Sequence, residues 1–185
     1  MSAGIDCGPA ANAWFSRYLG SPCRLVKFAP DHLLRAGNVL RDGQVKQDPS
    51  VPILYQDQTP ALLLNEYSVE ALNGRLAADA QITYRNFRPN ILVRAGGGAW
   101  AEDAWQEFRL GAIRFYKCKP CTRCTLTTVI PERGVKHPGL EPFTTLKTFR
   151  VPPETEHLYG DSPLFGISLA THNEGLLTLD DEIHL

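Results

Sequence analysis

No apolar run in these 185 residues approaches the length of a bilayer-crossing helix. A dominant charge is also missing, since 19 Lys and Arg oppose 20 Asp and Glu. The resulting formal charge of −1 supplies no field for gripping nucleic acid. Met1 to Pro9 has neither a basic leader nor an apolar signal core, so a cytoplasmic chain with no membrane span is expected. Internal repeats and low-complexity tracts are lacking too. A spaced disulfide framework is the last absence: three of the five cysteines crowd into seven residues, which favours a reducing compartment and metal or redox chemistry.

What is present is the composition of one ordinary globular domain, 43% hydrophobic and 21% charged. Ala10 to Leu19 spaces Ala10, Trp14, Phe15 and Tyr18 as an amphipathic helix, with Gly20 as its stop. A strand is expected over Arg24 to Phe28, followed by a long mobile surface loop over His32 to Pro52, which is rich in Gly, Asp, Gln and Pro. Further strands are expected over Val51 to Leu54 and Ala61 to Leu64, then a short helix near Ser68 to Leu76 entered through Asn65 or Ser68. Gln81 to Arg94 reads as strand interrupted by Phe87 to Asn90. Gly96 to Gly98 breaks it before a helical turn around Glu102 to Glu107. Leu110 to Lys117 and Thr125 to Ile130 are strand-like, and Ile167 to Thr171 is expected to pair with Leu176 to His184 across Asn173 to Gly175. Many short strands with few short helices and no βαβ alternation predict a mainly β, predominantly antiparallel barrel or strongly coiled sheet.

The cysteine cluster, Lys117-Cys-Lys-Pro-Cys-Thr-Arg-Cys124, admits three readings: an iron–sulfur or zinc knuckle, a redox dithiol, or one thiolate ligand with two bystanders. An iron–sulfur run lacks its fourth cysteine, because Thr128 stands there. A zinc site has only the distant His137 or His157 to complete it. In an extended segment Cys118 and Cys124 face one way and Cys121 the other. Cys118, following Phe115 and Tyr116, reads as a buried small hydrophobe, as do Cys7 and Cys23. Cys124 follows Arg123, and a cationic neighbour favours the thiolate that soft or high-valent metals take.

Other segments are equally rich in donors. In Arg88-Pro89-Asn90 the proline biases Arg88 toward extended backbone, which projects residues 88 and 90 to one side as a multi-donor anion grip. The plainer alternatives are an ion pair from Arg88 to the Glu102 to Glu107 turn and a self-bonded turn at Asn90. For Thr59 and Thr122 the plainer reading is ordinary turn hydrogen bonding.

Four ordered motifs carry a resemblance that runs almost end to end: Asn86-Phe-Arg-Pro-Asn-Ile91, Ala101-Glu-Asp-Ala-Trp105, Lys119-Pro-Cys-Thr-Arg-Cys124 with Thr127-Thr-Val129, and Leu158-Tyr-Gly-Asp-Ser-Pro-Leu-Phe-Gly166. They resemble the MOSC domain family (molybdenum cofactor sulfurase C-terminal domain), in particular the mitochondrial amidoxime-reducing components and their bacterial relatives. The resemblance implies a MOSC β-barrel over residues 1–185, in which residues 1–23 form a helical lead-in. It implies that a β-rich N-terminal domain, which helps hold the cofactor's phosphate end in the family, is largely absent. It places Cys124 as the catalytic molybdenum ligand. Asp57, Thr59, Arg88, Asn90, Thr122 and Arg123 fall on positions lining the molybdenum-pterin cofactor, while Gln58 replaces the hydroxyl residue usual there. Cys121 falls on a position often cysteine but not the ligand, and Cys118 has no counterpart.

The implied activity is reduction of N-hydroxylated small molecules by an enzyme drawing electrons from a separate flavin, ferredoxin or cytochrome-type partner, since no ferredoxin module follows. A cofactor or sulfur carrier, or an inactive truncated domain, are the alternatives. No acid or base is assigned by the sequence, and Asp57 or Asp161 would relay protons only if the fold brings them to the metal.

Overall fold

The computed structural model describes residues 4–29 and 34–185. Its centre is a six-stranded sheet in which β5 (Ala61–Asn65), β6 (Ile91–Val93), β7 (Glu107–Leu110), β8 (Ile113–Thr122), β11 (Leu164–Thr171) and β12 (Ile183–His184) run in the order β12-β7-β8-β11-β5-β6. All neighbours are antiparallel except β5 and β6. The sheet curls into a nearly closed barrel, as expected of a mainly β chain with few short helices. Central strand β11 is buried at seven consecutive positions, so it packs on both faces. Leu63, Phe108, Phe115, Ile167 and Leu169 form one core cluster, and Leu64, Phe87, Leu146 and Phe165 form another. Burial of each such side chain is worth roughly 1.5–3 kcal/mol.

Helix α1 (Pro9–Leu19) begins one residue before the expected Ala10, with proline in its first turn, and ends on Gly20 in the left-handed conformation, as its pattern predicts. Its apolar residues are not buried: Trp14 and Tyr18 stack on each other and remain exposed. Polar bonds instead tie α1 to β1 (Gly4–Asp6) and β2 (Val26–Phe28). Asp6 accepts from the Gly8 amide and the Asn12 side chain, while Asn12 accepts from the Leu25 amide. Cys7 is accordingly exposed and Cys23 half-buried, against the expectation of buried thiols.

The segment read as a mobile loop is a hairpin, apart from residues 32 and 33, which lie outside the described residues. Strands β3 (Arg35–Arg41) and β4 (Gln44–Ile53) join through Asp42 and Gly43, both at positive φ, a two-residue turn that matches strand twist. Pro49 and Pro52 within β4 hid it, yet a hairpin strand with an open side tolerates proline.

Two other strand expectations fail. Gln81 to Asn86 is irregular and ends in a 3₁₀ turn over Tyr84–Asn86, capped by Thr83, so only Ile91–Val93 is strand. The chain does not end on a β11–β12 hairpin either. Asn173 sends its side chain to the Arg114 amide and Ala112 carbonyl, turning the chain toward β7, which β12 pairs. Thr125 to Thr128 is a 3₁₀ turn followed by β9 (Val129–Ile130), which pairs with β10 (Val135–Lys136). Helices α2 (Glu66–Asn73), capped by Asn65, α3 (Phe143–Phe149) and α4 (Glu156–Tyr159) flank the sheet.

Candidate functional site

Where β8 ends, a cavity of about 460 Å³ opens between the β4–β5 connection, the turn before β6, the 3₁₀ turn after Cys124, and β11. Asp57, Thr59, Arg88, Asn90, Thr122, Arg123 and Cys124 all line it. Sequence separations of up to 67 positions thus collapse onto one concavity.

The three clustered thiols part company. Cys118 packs with Val39, Val51 and Ala170 in the core, and burial pushes its thiol up to about 12. Cys121 is half-buried and Cys124 exposed, and both line the cavity. The expected grouping of Cys118 with Cys124 therefore fails. Alternation holds only to Thr122, where the strand stops, and Cys124 then leads the following 3₁₀ turn. Among the described residues no cluster of three or more His, Cys, Asp or Glu side chains is arranged to hold a metal ion.

Arg123 is 7% exposed and built into the wall. Its Nε and Nη2 donate to the Phe165 carbonyl at 2.8 and 2.6 Å, and Nη1 donates to the Phe87 carbonyl at 3.3 Å. Its guanidinium also packs over both phenyl rings. Burial lowers its proton affinity, while Cys121 and Cys124 act in the opposite direction. The Phe165 carbonyl is available because β11 bulges between Leu164 and Ile167, with Gly166 at φ 74°. A Cβ on Gly166 would lie 2.3 Å from Leu64 Cδ2 and 2.6 Å from the Leu63 carbonyl oxygen, so only glycine fits.

Arg88 is not extended. It sits at φ 54°, with its amide donating to the Tyr84 carbonyl, closing the 3₁₀ turn in the left-handed manner before Pro89. That backbone costs about 1–2 kcal/mol in a non-glycine residue. Among the described residues the Arg88 guanidinium makes no ion pair or hydrogen bond, so it does not bridge to the Glu102 turn. Asn90 is not a self-bonded turn: its amide donates to the Leu62 carbonyl and its Oδ1 accepts from the Leu62 amide, both at 2.9 Å. Its Nδ2 has no acceptor among the described residues. Thr59 bonds locally to the Ala61 carbonyl at 3.4 Å. Asp161 is paired to Lys147 instead of entering the cavity.

Sequence reasoning missed Asn86, Ser162 and Ser168 in the lining. Asn86 stands inside a quoted motif. Its Nδ2 donates to the Thr127 and Val129 carbonyls at 3.2 Å, tying the Arg88 segment to the Cys124 segment. The motif at Ala101 to Trp105 is structural: Glu102 is fully buried and accepts from Ser68 at 2.8 Å, and Asp103 pairs with Arg150 at 2.7 Å.

The MOSC domain family matches residues 50–184, which include every residue of this cavity. The chain belongs to the MOSC domain family. It is 39% identical over 184 residues to mitochondrial amidoxime-reducing component 1 of Mus musculus and, at the same identity, to that of Homo sapiens. Mitochondrial amidoxime reducing component 2 of Bos taurus is 36% identical over 183 residues. Each alignment covers 98% of this chain but 52% of the relative, so the chain spans about half the length of the curated relatives it matches. Among the described residues no helix is long and apolar enough to cross a membrane.

Proposed function

We propose that this MOSC domain binds a molybdenum-pterin cofactor through Cys124 and reduces N-hydroxylated small molecules. The observation that carries the reading is the convergence of Cys124 with Arg88, Asn90, Asp57, Thr59, Thr122 and Arg123 on one cavity. The donor set fits such a group: an exposed thiol suits a soft or high-valent metal, and a partner-free guanidinium with a spare amide suits an anionic, hydrogen-bonding cofactor.

When bound, the cofactor would supply the two electrons that reduce the N–OH group and would take up its oxygen. The protein's part is to hold and shield. Cys124 offers the ligand sulfur, and the Thr127 amide and hydroxyl fix the Cys124 carbonyl at 3.2 and 2.9 Å. Arg88 presents a fork of donors on a backbone already locked into place. Asn90 Nδ2, Thr122 and Thr59 offer further donors, and Asp57 an acceptor. Ala61, Leu62 and Leu126 give the cavity an apolar wall that limits water. Electrons come from a separate donor protein of flavin, ferredoxin or cytochrome type.

The test uses chain produced in a host that makes the cofactor, with pterin per chain measured after gel filtration and amidoxime reduction assayed with a chemical reductant. Wild type should retain pterin and turn over. Arg88→Lys, which keeps charge but loses the fork, should release pterin nearly as readily as Arg88→Ala, whereas Arg94→Lys should retain it. Equal retention in all of these would make Arg88 a backbone element only. A wild type that never holds pterin would favour the inactive-domain alternative.

A further inference from the structure

Reduction of an N-hydroxyl group consumes two protons, and no residue has yet been assigned to deliver them. Lys119 lies on the cavity-facing side of the sheet. Its partner across β8 and β11 is Ser168, and the partner of Ser168 across β11 and β5 is Leu62. Directly opposed residues project to the same face with Cβ atoms about 5 Å apart. Leu62 and Ser168 line the cavity, as does Cys121, two residues beyond Lys119 on the same strand face. The row Leu62, Ser168, Lys119 therefore runs from the cavity into the protein.

Lys119 is 3% exposed, a rare state for an ammonium group. Its only hydrogen bond among the described residues goes to the Pro120 carbonyl at 3.3 Å, and it pairs with no carboxylate. Its Nζ lies 5.8 Å from the centre of the Tyr159 ring, whose hydroxyl is buried and has no partner among the described residues. The Ser168 hydroxyl likewise donates to no acceptor among the described residues. The ionisable groups around Lys119 are Cys118, Cys121 and Arg123 from its own segment and Tyr159 from α4. An under-coordinated cation one residue behind a cavity-lining hydroxyl has no structural task that a methionine would not perform better.

We propose that Lys119 is the proton-supplying positioning residue of this cavity, acting through the Ser168 hydroxyl. The inference rests on the reductase reading above. In the net step R–NH–OH + 2e⁻ + 2H⁺ → R–NH₂ + H₂O, the N–O bond breaks and one N–H and one O–H bond form. The electron pair comes from the separate donor protein. One proton passes from the Lys119 ammonium through Ser168 to the departing oxygen, the second is drawn from solvent, and Lys119 is reloaded from solvent. Burial agrees with this role, since it lowers the proton affinity of Lys119, Arg123 adds to the effect, and Cys121 and Cys118 oppose it.

The test pairs kinetics of cofactor-loaded chain with a titration that needs no cofactor. Lys119→Met should lower kcat for an amidoxime by roughly 10²-fold, with KM and pterin content nearly unchanged. Lys119→Arg keeps the charge but cannot release its proton, so it should not rescue kcat. The wild-type loss of kcat at rising pH should disappear in both variants. In cofactor-free wild type carrying ¹⁵N-lysine, the Lys119 Nζ should titrate below the ordinary lysine value of 10.5. Full activity in Lys119→Met, rescue by arginine, or a Lys119 titration at the ordinary lysine value would each overturn the inference alone. No turnover by cofactor-loaded wild type would overturn the reductase reading, and this inference with it.

Discussion

Cys118 and Cys124 are six positions apart, yet one serves the core and the other the cavity. Cys118 lies within β8, wedged against Val39 and Val51 of the β3–β4 hairpin and Ala170 of β11. Cys124 lies two residues past the end of that strand, where the chain leaves the ladder for a 3₁₀ turn and side chains are no longer assigned by alternation. The difference teaches that cysteine spacing does not by itself make a metal knuckle. In this segment the place where pairing stops decides which thiol is available. The stop has visible causes: Thr122 is the last residue paired to β11, the Arg123 amide is taken by the Pro163 carbonyl, and the Arg123 side chain is pinned to the bulge at Phe165.

The comparison breaks most severely at that bulge. Gly166→Ala forces a left-handed alanine into contact with Leu64 and the Leu63 carbonyl, so we expect a loss of about 3 kcal/mol or more in chemical denaturation. Pterin retention should fall as well, because Arg123 loses its anchor. An alanine variant as stable as wild type would mean that the bulge does not set the cavity wall.

A smaller effect is expected on the core side. Cys118→Ala removes a buried sulfur and should cost about 1–2 kcal/mol with the cavity intact. Because burial pushes the Cys118 thiol up to about 12, it should resist iodoacetamide at pH 8 in the folded chain. Labelling of Cys118 at the rate of exposed Cys7 would contradict its placement in the core.

The smallest effect concerns Glu102, which does not line the cavity and is useful as a control. Burial raises its carboxyl above the ordinary value of 4.5, despite the Ser68 hydrogen bond. Between the unfolded and the raised folded value the native state holds more protons than the unfolded one. Its contribution is therefore present at low pH and lost as pH rises through the folded value. Urea midpoints measured upward from about pH 4 should fall in wild type relative to Glu102→Gln, with no change in pterin content. Parallel pH profiles for the two proteins would contradict the burial argument.

Much of this was legible in the sequence because the information was local. The end of α1 could be read from Gly20, the cap of α2 from Asn65, and Arg88, Asn90, Thr122, Arg123 and Cys124 from two of the short motifs. The β3–β4 hairpin carried a readable Asp42-Gly43 turn, but prolines 49 and 52 argued against a strand that turned out to have an open side. What could not be read depends on pairing between distant strands. Ser168 reaches the cavity, and Lys119 lies behind it, only because β11 sits between β5 and β8, a register that no local pattern encodes. The left-handed backbone of Arg88 was hidden for a similar reason: it is imposed by the carbonyl of Tyr84 closing a turn, against the bias from Pro89.

The central claim is that Cys124, and neither of its neighbours, is the metal-binding thiol. Its most direct test is molybdenum per chain in wild type, Cys118→Ala, Cys121→Ser and Cys124→Ser, all purified from a host that makes the cofactor. The account predicts metal in wild type, Cys118→Ala and Cys121→Ser, and its loss in folded Cys124→Ser, because a hydroxyl is a poor substitute for a soft thiolate. Undiminished molybdenum in Cys124→Ser, or its loss in Cys118→Ala or Cys121→Ser, would contradict it.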